Sequence, residues 1–388
     1  MTGITFVTIL TAACIYLAIT TVILLRNRFE LKPLPLDNKS PNISISVLIP
    51  ARNEEMNIEN CVRHACNQNY SNYEVIVLND RSDDSTGEIM EKLQQEFQHL
   101  TAINGRKKPD NWLGKPWACK QLSDAANGKI LVFIDADVTL NKSALQGVAL
   151  AFEKYNLEML TVWPRQTLNT FWENTLIPMV YYAFISILPS VYVYRSPRWM
   201  PKFISSRTRK MFAAACGQFI SFRRESYKYI GTHEVVKNNI IEDVGLARAA
   251  MGFGLKIRMF EGNDQVSCRM YRNESEIRSG FRKNFFAGFN YSYFNFIIAA
   301  LLHIIVYIVP FIILPVSVIF GQLLWGILSF IAIVLILVHR FILASWFKWN
   351  PLYSLTHPIG VAWFQFLGIM TVIDKLTGRK INWKQRSV

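Results

Sequence analysis

The strongest constraint in this 388-residue chain is a short central segment, Gly128-Lys-Ile-Leu-Val-Phe-Ile-Asp-Ala-Asp-Val138. Five apolar residues run without a break from Ile130 to Ile134 and stop at two carboxylates, Asp135 and Asp137. A strand without a polar face has to be covered on both sides, which demands a mostly parallel sheet flanked by helices. Side chains alternate along a strand, so two acids one residue apart are expected on the same side. They would sit at the carboxyl end of the sheet, where open α/β folds gather ligands. Acid-x-acid is a common tripeptide, and the pair reads equally as a grip for one cation or as caps for the following loop and helix.

The flanking sequence repeats the rhythm. Ile45 to Ile49 reads as a strand ending at Pro50-Ala-Arg-Asn-Glu-Glu55, with a helix over roughly 54–66. Glu74-Val-Ile-Val-Leu78 is a second strand, broken by Asn79-Asp-Arg-Ser-Asp-Asp84, and Ser85 with Glu88 resembles a capping box. A loop with Gly105, Pro109 and Gly114 leads to a helix near 117–126; a helix at about 143–155 and a strand at 159–163 follow the central segment. A further α/β portion runs through Gln218-Phe-Ile-Ser-Phe222, Ile240-Ile-Glu-Asp-Val-Gly-Leu-Ala-Arg248 and Cys268-Arg-Met-Tyr271. Strands alternating with helices imply the same parallel sheet.

The two ends are different. The chain is 51% hydrophobic with 26 Phe, and that content gathers at its termini. Residues 4–25 are long enough to span a bilayer. No Lys or Arg precedes them while Arg26 and Arg28 follow, the reverse of a cleavable signal and the pattern of an anchor with its N-terminus outside. Residues 26–42, with Pro33, Pro35 and Pro41, read as a linker, and 43–293 as a cytoplasmic domain. Within it, 170–210 is a possible interfacial segment: Phe171 to Tyr194, interrupted by Pro178 and Pro189, precedes Arg195, Arg198, Lys202, Arg207, Arg209 and Lys210. A hydrophobic core helix is the alternative. Residues 294–374 hold candidate spans at about 296–320, 322–345 and 356–373, with Pro310, Pro315 and Pro358 as irregularities. Three crossings there would carry the basic tail 375–388 outside, against the positive-inside rule. One segment is therefore expected to be re-entrant or interfacial, unless the count itself differs.

The net charge of +14 sits mostly beside the apolar runs. That favours anionic lipid head groups as partner; no nucleic-acid module accompanies the charge, and no nucleic-acid partner is expected. Six cysteines without a Cys-x-x-Cys pair read as reduced thiols and not as a disulfide or zinc framework.

Four polar clusters thus fall at strand ends of one sheet: 50–54, 79–84, Asp135 with Asp137, and Glu242 with Asp243. Neither a P-loop nor a Gly-x-Gly-x-x-Gly fingerprint is present. Lys115, in Leu113-Gly-Lys-Pro-Trp-Ala118, suits a phosphate at the sheet edge or is an ordinary solvated lysine. Asp243 reads as a catalytic carboxylate or as an acid favourably placed in the first turn of a helix at about 242–252. Hard oxygen donors suit Mg²⁺ or Mn²⁺ and argue against zinc.

In order, Ser46-Val-Leu-Ile-Pro-Ala-Arg-Asn-Glu-Glu55, Val77-Leu-Asn-Asp-Arg-Ser-Asp-Asp-Ser-Thr86, Gly114-Lys-Pro-Trp-Ala118, Phe133-Ile-Asp-Ala-Asp-Val138 and Glu242-Asp243 resemble the motif series of family 2 glycosyltransferases. The resemblance covers about residues 43–290 and implies a GT-A fold. Arg269-Met-Tyr271 and the apolar ends are similar to the membrane-bound subgroup associated with carotenoids and hopanoids. Residue by residue, it implies that Pro50, Ala51 and Glu54 line the nucleobase and that Asp80 contacts base or ribose. Lys115 would approach the nucleotide, and Asp135 would contact ribose or metal. Asp137 would coordinate Mg²⁺ or Mn²⁺ on the diphosphate, and Asp243, beside Glu242, would be the general base. The implied protein is a multi-pass enzyme of the cell membrane with a cytoplasmic catalytic domain. It would move one sugar, with inversion, from a nucleotide sugar (a UDP-sugar first) to a lipid or isoprenoid/carotenoid-type acceptor, giving a glycolipid. Processive synthases of the family carry Gln-x-x-Arg-Trp near the membrane, and Ile277-Arg-Ser-Gly-Phe-Arg-Lys-Asn-Phe-Phe286 lacks it. A processive polysaccharide synthase and a non-enzymatic membrane transport protein are the alternatives. A sugar nucleotidyltransferase would need a Gly-rich, Lys-containing loop after the first strand, which Pro50 to Glu55 is not.

Overall fold

Ile130–Ile134 forms the strand its composition demands, with every side chain buried. Burial at this level contributes about 1.5–3 kcal/mol for each large aliphatic side chain, so the strand anchors the sheet. The computed structural model describes residues 2–37, 41–194, 201, 215–289, 291–379, 382–383 and 386–387. The chain divides into a sheet unit (Leu31–Thr167 and Ser190–Met270) and a helical unit (Met1–Glu30, Leu168–Pro189 and Tyr271–Val388).

After a long helix α1 (Thr2–Glu30), the sheet unit runs β1 (Ile45–Ala51), α2 (Ile58–Cys66), β2 (Tyr73–Asn79), α3 (Thr86–Glu96), β3 (Leu100–Asn104) and α4 (Gly114–Ala125). It continues with β4 (Ile130–Ile134), β5 (Val138–Leu140), α5 (Ala144–Lys154), β6 (Met159–Trp163) and β7 (Arg165–Gln166). The helix α6 (Phe171–Ile187) belongs to the helical unit; the sheet unit then resumes with β8 (Phe219–Arg223), α7 (Glu242–Gly252), β9 (Ile257–Glu261) and β10 (Val266–Cys268). The main sheet has the order β3-β2-β1-β4-β8-β6-β9. Only β8 runs antiparallel to its neighbours, β4 and β6. A small sheet, β5-β10-β7, stands beside it.

Register places the polar loops side by side. Ala51 pairs with Asn79, so the loops after β1 and β2 leave the sheet together. They are laced to each other: Arg52 donates to the Asp80 carbonyl at 2.8 Å, the Asn53 amide to Ser82 Oγ at 3.1 Å, and the Asp83 amide to Asn53 Oδ1 at 2.9 Å. Gly128 lets β4 start against β1. A Cβ there would lie 2.5 Å from the Ser46 amide nitrogen, while the Gly128 N–H donates to Ser46 Oγ at 2.7 Å.

Several local expectations shift. The capping box at Ser85 does not form, because Ser85 adopts φ −71°, ψ 5° and caps nothing; Asp84 instead accepts from the Thr86 amide and hydroxyl. Residues 54–57 form a turn, so α2 starts at Ile58. The proline-rich linker is not wholly free chain: Leu34 is 2% exposed within the sheet unit's core, and Pro33 bridges Glu261.

In the helical unit, α6 starts at a complete capping box, Thr170 with Glu173, and continues through Pro178. It groups with α8 (Glu274–Phe285), α9 (Tyr293–Tyr307), α10 (Val309–Ile319), α11 (Leu323–Trp346) and α12 (His357–Thr377). The sequence had assigned 168–189 and 271–293 to the catalytic domain, yet both cluster with the apolar helices through contacts such as Leu176, Ile177 and Ile277. Among the described residues, Ile4–Glu30, Leu323–Trp346 and Pro351–Thr377 are long and apolar enough to cross a membrane, and α9 with α10 qualifies as a pair bent by 41°. The basic cluster at 195–210 lies outside the described residues, apart from Pro201.

Candidate active site

Lys115 stands in the first turn of α4 and joins the end of β4, the approach to β8 and the start of α7. Glu242 and Asp243 thus reach the site from a helix start and not from the strand end the sequence suggests. The Lys115 ammonium is 2.7 Å from Asp135 Oδ1 and 2.9 Å from Glu242 Oε1, and it donates to the Gly217 carbonyl at 3.3 Å. The side chains of Lys115, Asp135 and Glu242 are 36%, 30% and 13% exposed, so the cluster lines a wall and is not sealed in the core. Burial works against the lysine's charge, but the Asp135 and Glu242 carboxylates outweigh it and hold the ammonium well above its usual range.

The Gly217 peptide carries the arrangement onward. Its N–H donates to Asp243 Oδ2 at 2.9 Å, while Asp243 Oδ1 accepts from the Val244 amide at 2.8 Å. Burial, and then the neighbouring Glu242 charge, push the Asp243 carboxyl up to about 7, against the opposing pull of Lys115 and the two amides. A carboxylate titrating near neutral pH has the basicity a general base needs. Its place in the first turn of α7 also meets the helix-cap reading.

Pro50, Phe133, Ile220 and His233 complete the wall of a small cleft with Lys115, Asp135, Gly217 and Glu242. His233, from the 3₁₀ turn Thr232–Val236, bonds the Tyr227 hydroxyl at 2.6 Å and packs its ring 4.9 Å from Phe133. Burial lowers its pKa to about 3, so it stays neutral at physiological pH. The Cys216 thiol is pushed up to about 12, mainly by burial, which excludes it as a nucleophile.

The expected residues separate into groups. Pro50, Lys115, Asp135 and Glu242 meet at the cleft, and Asp243 joins them through Gly217. Ala51 is buried at the end of β1, and Asp80 is 4% exposed, its N–H donating to the Ala51 carbonyl at 2.8 Å. Glu54 accepts from Asn57 Nδ2 at 3.0 Å, in the turn before α2. Asp135 and Asp137 lie past the end of β4, in a turn closed by the Val138 amide on the Asp135 carbonyl at 3.1 Å. Strand alternation therefore does not govern them, and their engagements differ: Asp135 meets Lys115, whereas the Asp137 carboxylate adds to burial in raising the Cys268 thiol. Gly217 and His233 escaped the sequence reading. Gly217 carried a signal only as the glycine two residues ahead of β8.

No group of three or more His, Cys, Asp and Glu residues converges as a metal cage among the described residues. Asp135 and Asp137 are hard oxygen donors of the class Mg²⁺ or Mn²⁺ takes, and among the described residues they engage different partners, Lys115 and Cys268.

The family described as glycosyl transferase family 2 matches residues 46–231. A 4,4'-diaponeurosporenoate glycosyltransferase of Staphylococcus haemolyticus (strain JCSC1435) is 27% identical over 230 residues, 59% of this chain and 57% of the relative. One from Staphylococcus aureus (strain USA300) is 26% identical over 269 residues, 68% of this chain and 65% of the relative. Both matches span less than two thirds of the relatives' length. Among solved structures, a mannosyltransferase of Pyrobaculum calidifontis in complex with GDP-Man and Mn²⁺ is 14% identical with a TM-score of 0.52, covering 97% of this chain and all of that one. That likeness supports the GT-A fold seen in the sheet. The stretch that matches glycosyl transferase family 2, residues 46–231, thus holds most of the mostly parallel sheet together with Lys115, Asp135 and Gly217 of the cleft.

Proposed function

We propose that this enzyme transfers a single sugar, with inversion, from a nucleotide sugar, a UDP-sugar first, to a lipid or isoprenoid/carotenoid-type acceptor at the cytoplasmic face of the cell membrane. The observation that carries the chemistry is the Gly217 peptide, which ties Lys115 to Asp243 across the cleft. Asp243 takes the proton of an acceptor hydroxyl as its oxygen bonds to the anomeric carbon; the bond from that carbon to the diphosphate breaks, and the nucleoside diphosphate leaves. Lys115, held charged by its carboxylate partners, faces the negative charge that grows on the leaving group. Pro50, Ala51, Glu54 and Asp80 serve the nucleoside, with Asp135 on ribose or metal. Mg²⁺ or Mn²⁺ held by Asp137 and Asp135 supplies charge compensation on the diphosphate when bound. The acceptor class is supported by the apolar helices and by the names of the relatives. Incubating membranes with radiolabelled UDP- and GDP-sugars tests the reading. One labelled lipid product of single-sugar size is expected, lost with chelator and restored by Mg²⁺ or Mn²⁺. Label in a polymer, or none in the lipid fraction, refutes it.

The same reading gives three crossings. α1 and α11 run in the same direction, with Phe6 against Trp325 (5.0 Å), Thr21 against His339 (2.5 Å) and Arg28 against Trp346 (5.2 Å). The bent pair α9–α10 returns between them. α12 lies along α8, a helix carrying Glu274, Glu276, Arg278, Arg282 and Lys283, through Trp363 Nε1 to Glu274 (2.9 Å) and Arg282 to Asp374 (2.5 Å). So charged a helix does not enter hydrocarbon, and α12 beside it stays at the interface. The basic tail then remains on the side of Arg26 and Arg28, which removes the conflict with the positive-inside rule. A cysteine placed at 379 (Arg379→Cys) is expected to react with a membrane-impermeant maleimide only after permeabilisation, relative to the wild-type background. Labelling of intact cells overturns this topology.

A further inference from the structure

One set of buried polar groups in the helical unit is unused by the transfer chemistry. Arg340 of α11 is 3% exposed; its guanidinium donates to the Tyr353 carbonyl at 3.1 Å and reaches the Met179 sulfur at 3.5 Å. Both partners are uncharged, and no described acid pairs with it. A guanidinium keeps its charge under all physiological conditions and presents five N–H donors. His357, at the start of α12, is fully buried, and neither ring nitrogen has a hydrogen-bond partner among the described residues. Ser354 Oγ, in the turn joining the two helices, is likewise buried and unpartnered. Arg340, His339 and His303 are electrostatic neighbours of His357. His339 is already satisfied, by Thr21 Oγ1 at 2.5 Å and Tyr182 Oη at 2.9 Å.

The cluster therefore offers surplus donors and one permanent positive charge with no counter-ion. Buried charge without a partner is expensive, and ionisable groups among membrane helices mark ligand sites. Water could serve His357 and Ser354 as a hydrogen-bond partner, but it carries no charge to offset that of Arg340. Arg340 lies six residues before the end of α11 at Trp346, about 9 Å along the axis at 1.5 Å per residue. That depth is where lipid head groups meet acyl chains. We propose that Arg340, His357 and Ser354 bind the carboxylate or phosphate head group of an anionic membrane lipid. The site rests on the membrane placement of these helices and is independent of sugar transfer.

The purified full-length protein, in neutral detergent micelles, tests this by lipid titration read through native mass spectrometry and melting temperature. Phosphatidylglycerol and oleate are expected to bind and raise the melting temperature, while phosphatidylcholine and inorganic phosphate leave both unchanged. Arg340→Gln should weaken phosphatidylglycerol binding by about tenfold or more. Arg340→Lys, which keeps the charge without the planar fork, should fall between, and Arg278→Gln on α8 should match wild type. Equal binding of phosphatidylcholine, a response to inorganic phosphate alone, or undiminished binding by Arg340→Lys and Arg340→Gln overturns the proposal. If Arg340→Gln does not fold, His357→Gln and Arg340→Lys carry the comparison, with the same outcomes deciding it. Because no step reads sugar transfer, a failure here is distinct from a failure of the enzymatic reading.

Discussion

Asp243→Asn should leave nucleotide-sugar binding intact and lower turnover by about 10²–10⁴-fold, the usual contribution of a positioned general base. Asn keeps the side chain's size and one acceptor for the Gly217 N–H, so the cleft is preserved while the basic group is lost. The pH profile makes the assignment sharper. Asp243 is pushed up to about 7, so below that pH it holds a proton and accepts none. Wild-type kcat should climb with unit slope as pH rises toward about 7 and level off above it. Burial is the larger cause of the shift and the Glu242 charge the next. Glu242→Gln removes the second and leaves Lys115 freer to favour the carboxylate, so the limb should move to lower pH, by about one unit. A full-speed Asp243→Asn enzyme would sink the assignment and point to an acceptor oxygen that is already ionised before attack.

How much of this was legible depended on whether a residue's role is written locally. Ile130–Ile134 fixed a doubly covered strand because five buried apolar side chains admit few other homes, and α7 began at Glu242 as its first-turn acids suggested. Edge elements were harder. β3 buries only Leu100, leaving no period to read, and β9 contains Arg258, whose charge is accommodated over the Tyr155 ring at 4.1 Å. Ser85 looked like a cap in sequence, but Asp84 reached the helix start first, a competition set by backbone angles. The helical unit was mis-parsed because 168–189 and 271–293 are apolar or amphipathic segments whose partners lie far along the chain. The division of labour between Asp135 and Asp137 likewise needed tertiary structure, since Lys115 and Cys268 arrive from distant elements. His233 was invisible for the same reason: only packing against Phe133 and Tyr227 turns a solitary histidine into a neutral wall of the cleft.

Gly217→Ala should lower kcat by about 10- to 100-fold, the scale expected when a reacting group is misplaced by a fraction of an ångström to one ångström. The backbone at Gly217 is not in the left-handed region, so alanine meets no conformational penalty and the effect is one of space alone. A Cβ would stand 3.0 Å from Asp243 Oδ2 and 3.3 Å from its Cβ and Cγ, closer than such contacts tolerate without movement. The carboxylate is the mobile partner, because its other oxygen is tied only to the adjacent Val244 amide. Moving it stretches the bond from the Gly217 N–H, and with less hydrogen bonding to its charged form the carboxyl should titrate higher. The variant's limb should therefore shift upward in pH, opposite to Glu242→Gln, while the Lys115 contact to the Gly217 carbonyl and donor affinity change little. Measuring kcat on the high-pH plateau separates the two effects: a deficit that persists there reports geometry, and one that vanishes reports protonation alone. A variant with wild-type kcat and an unshifted limb would show that the Gly217 peptide does not position Asp243, and the proposed base would lose its structural support.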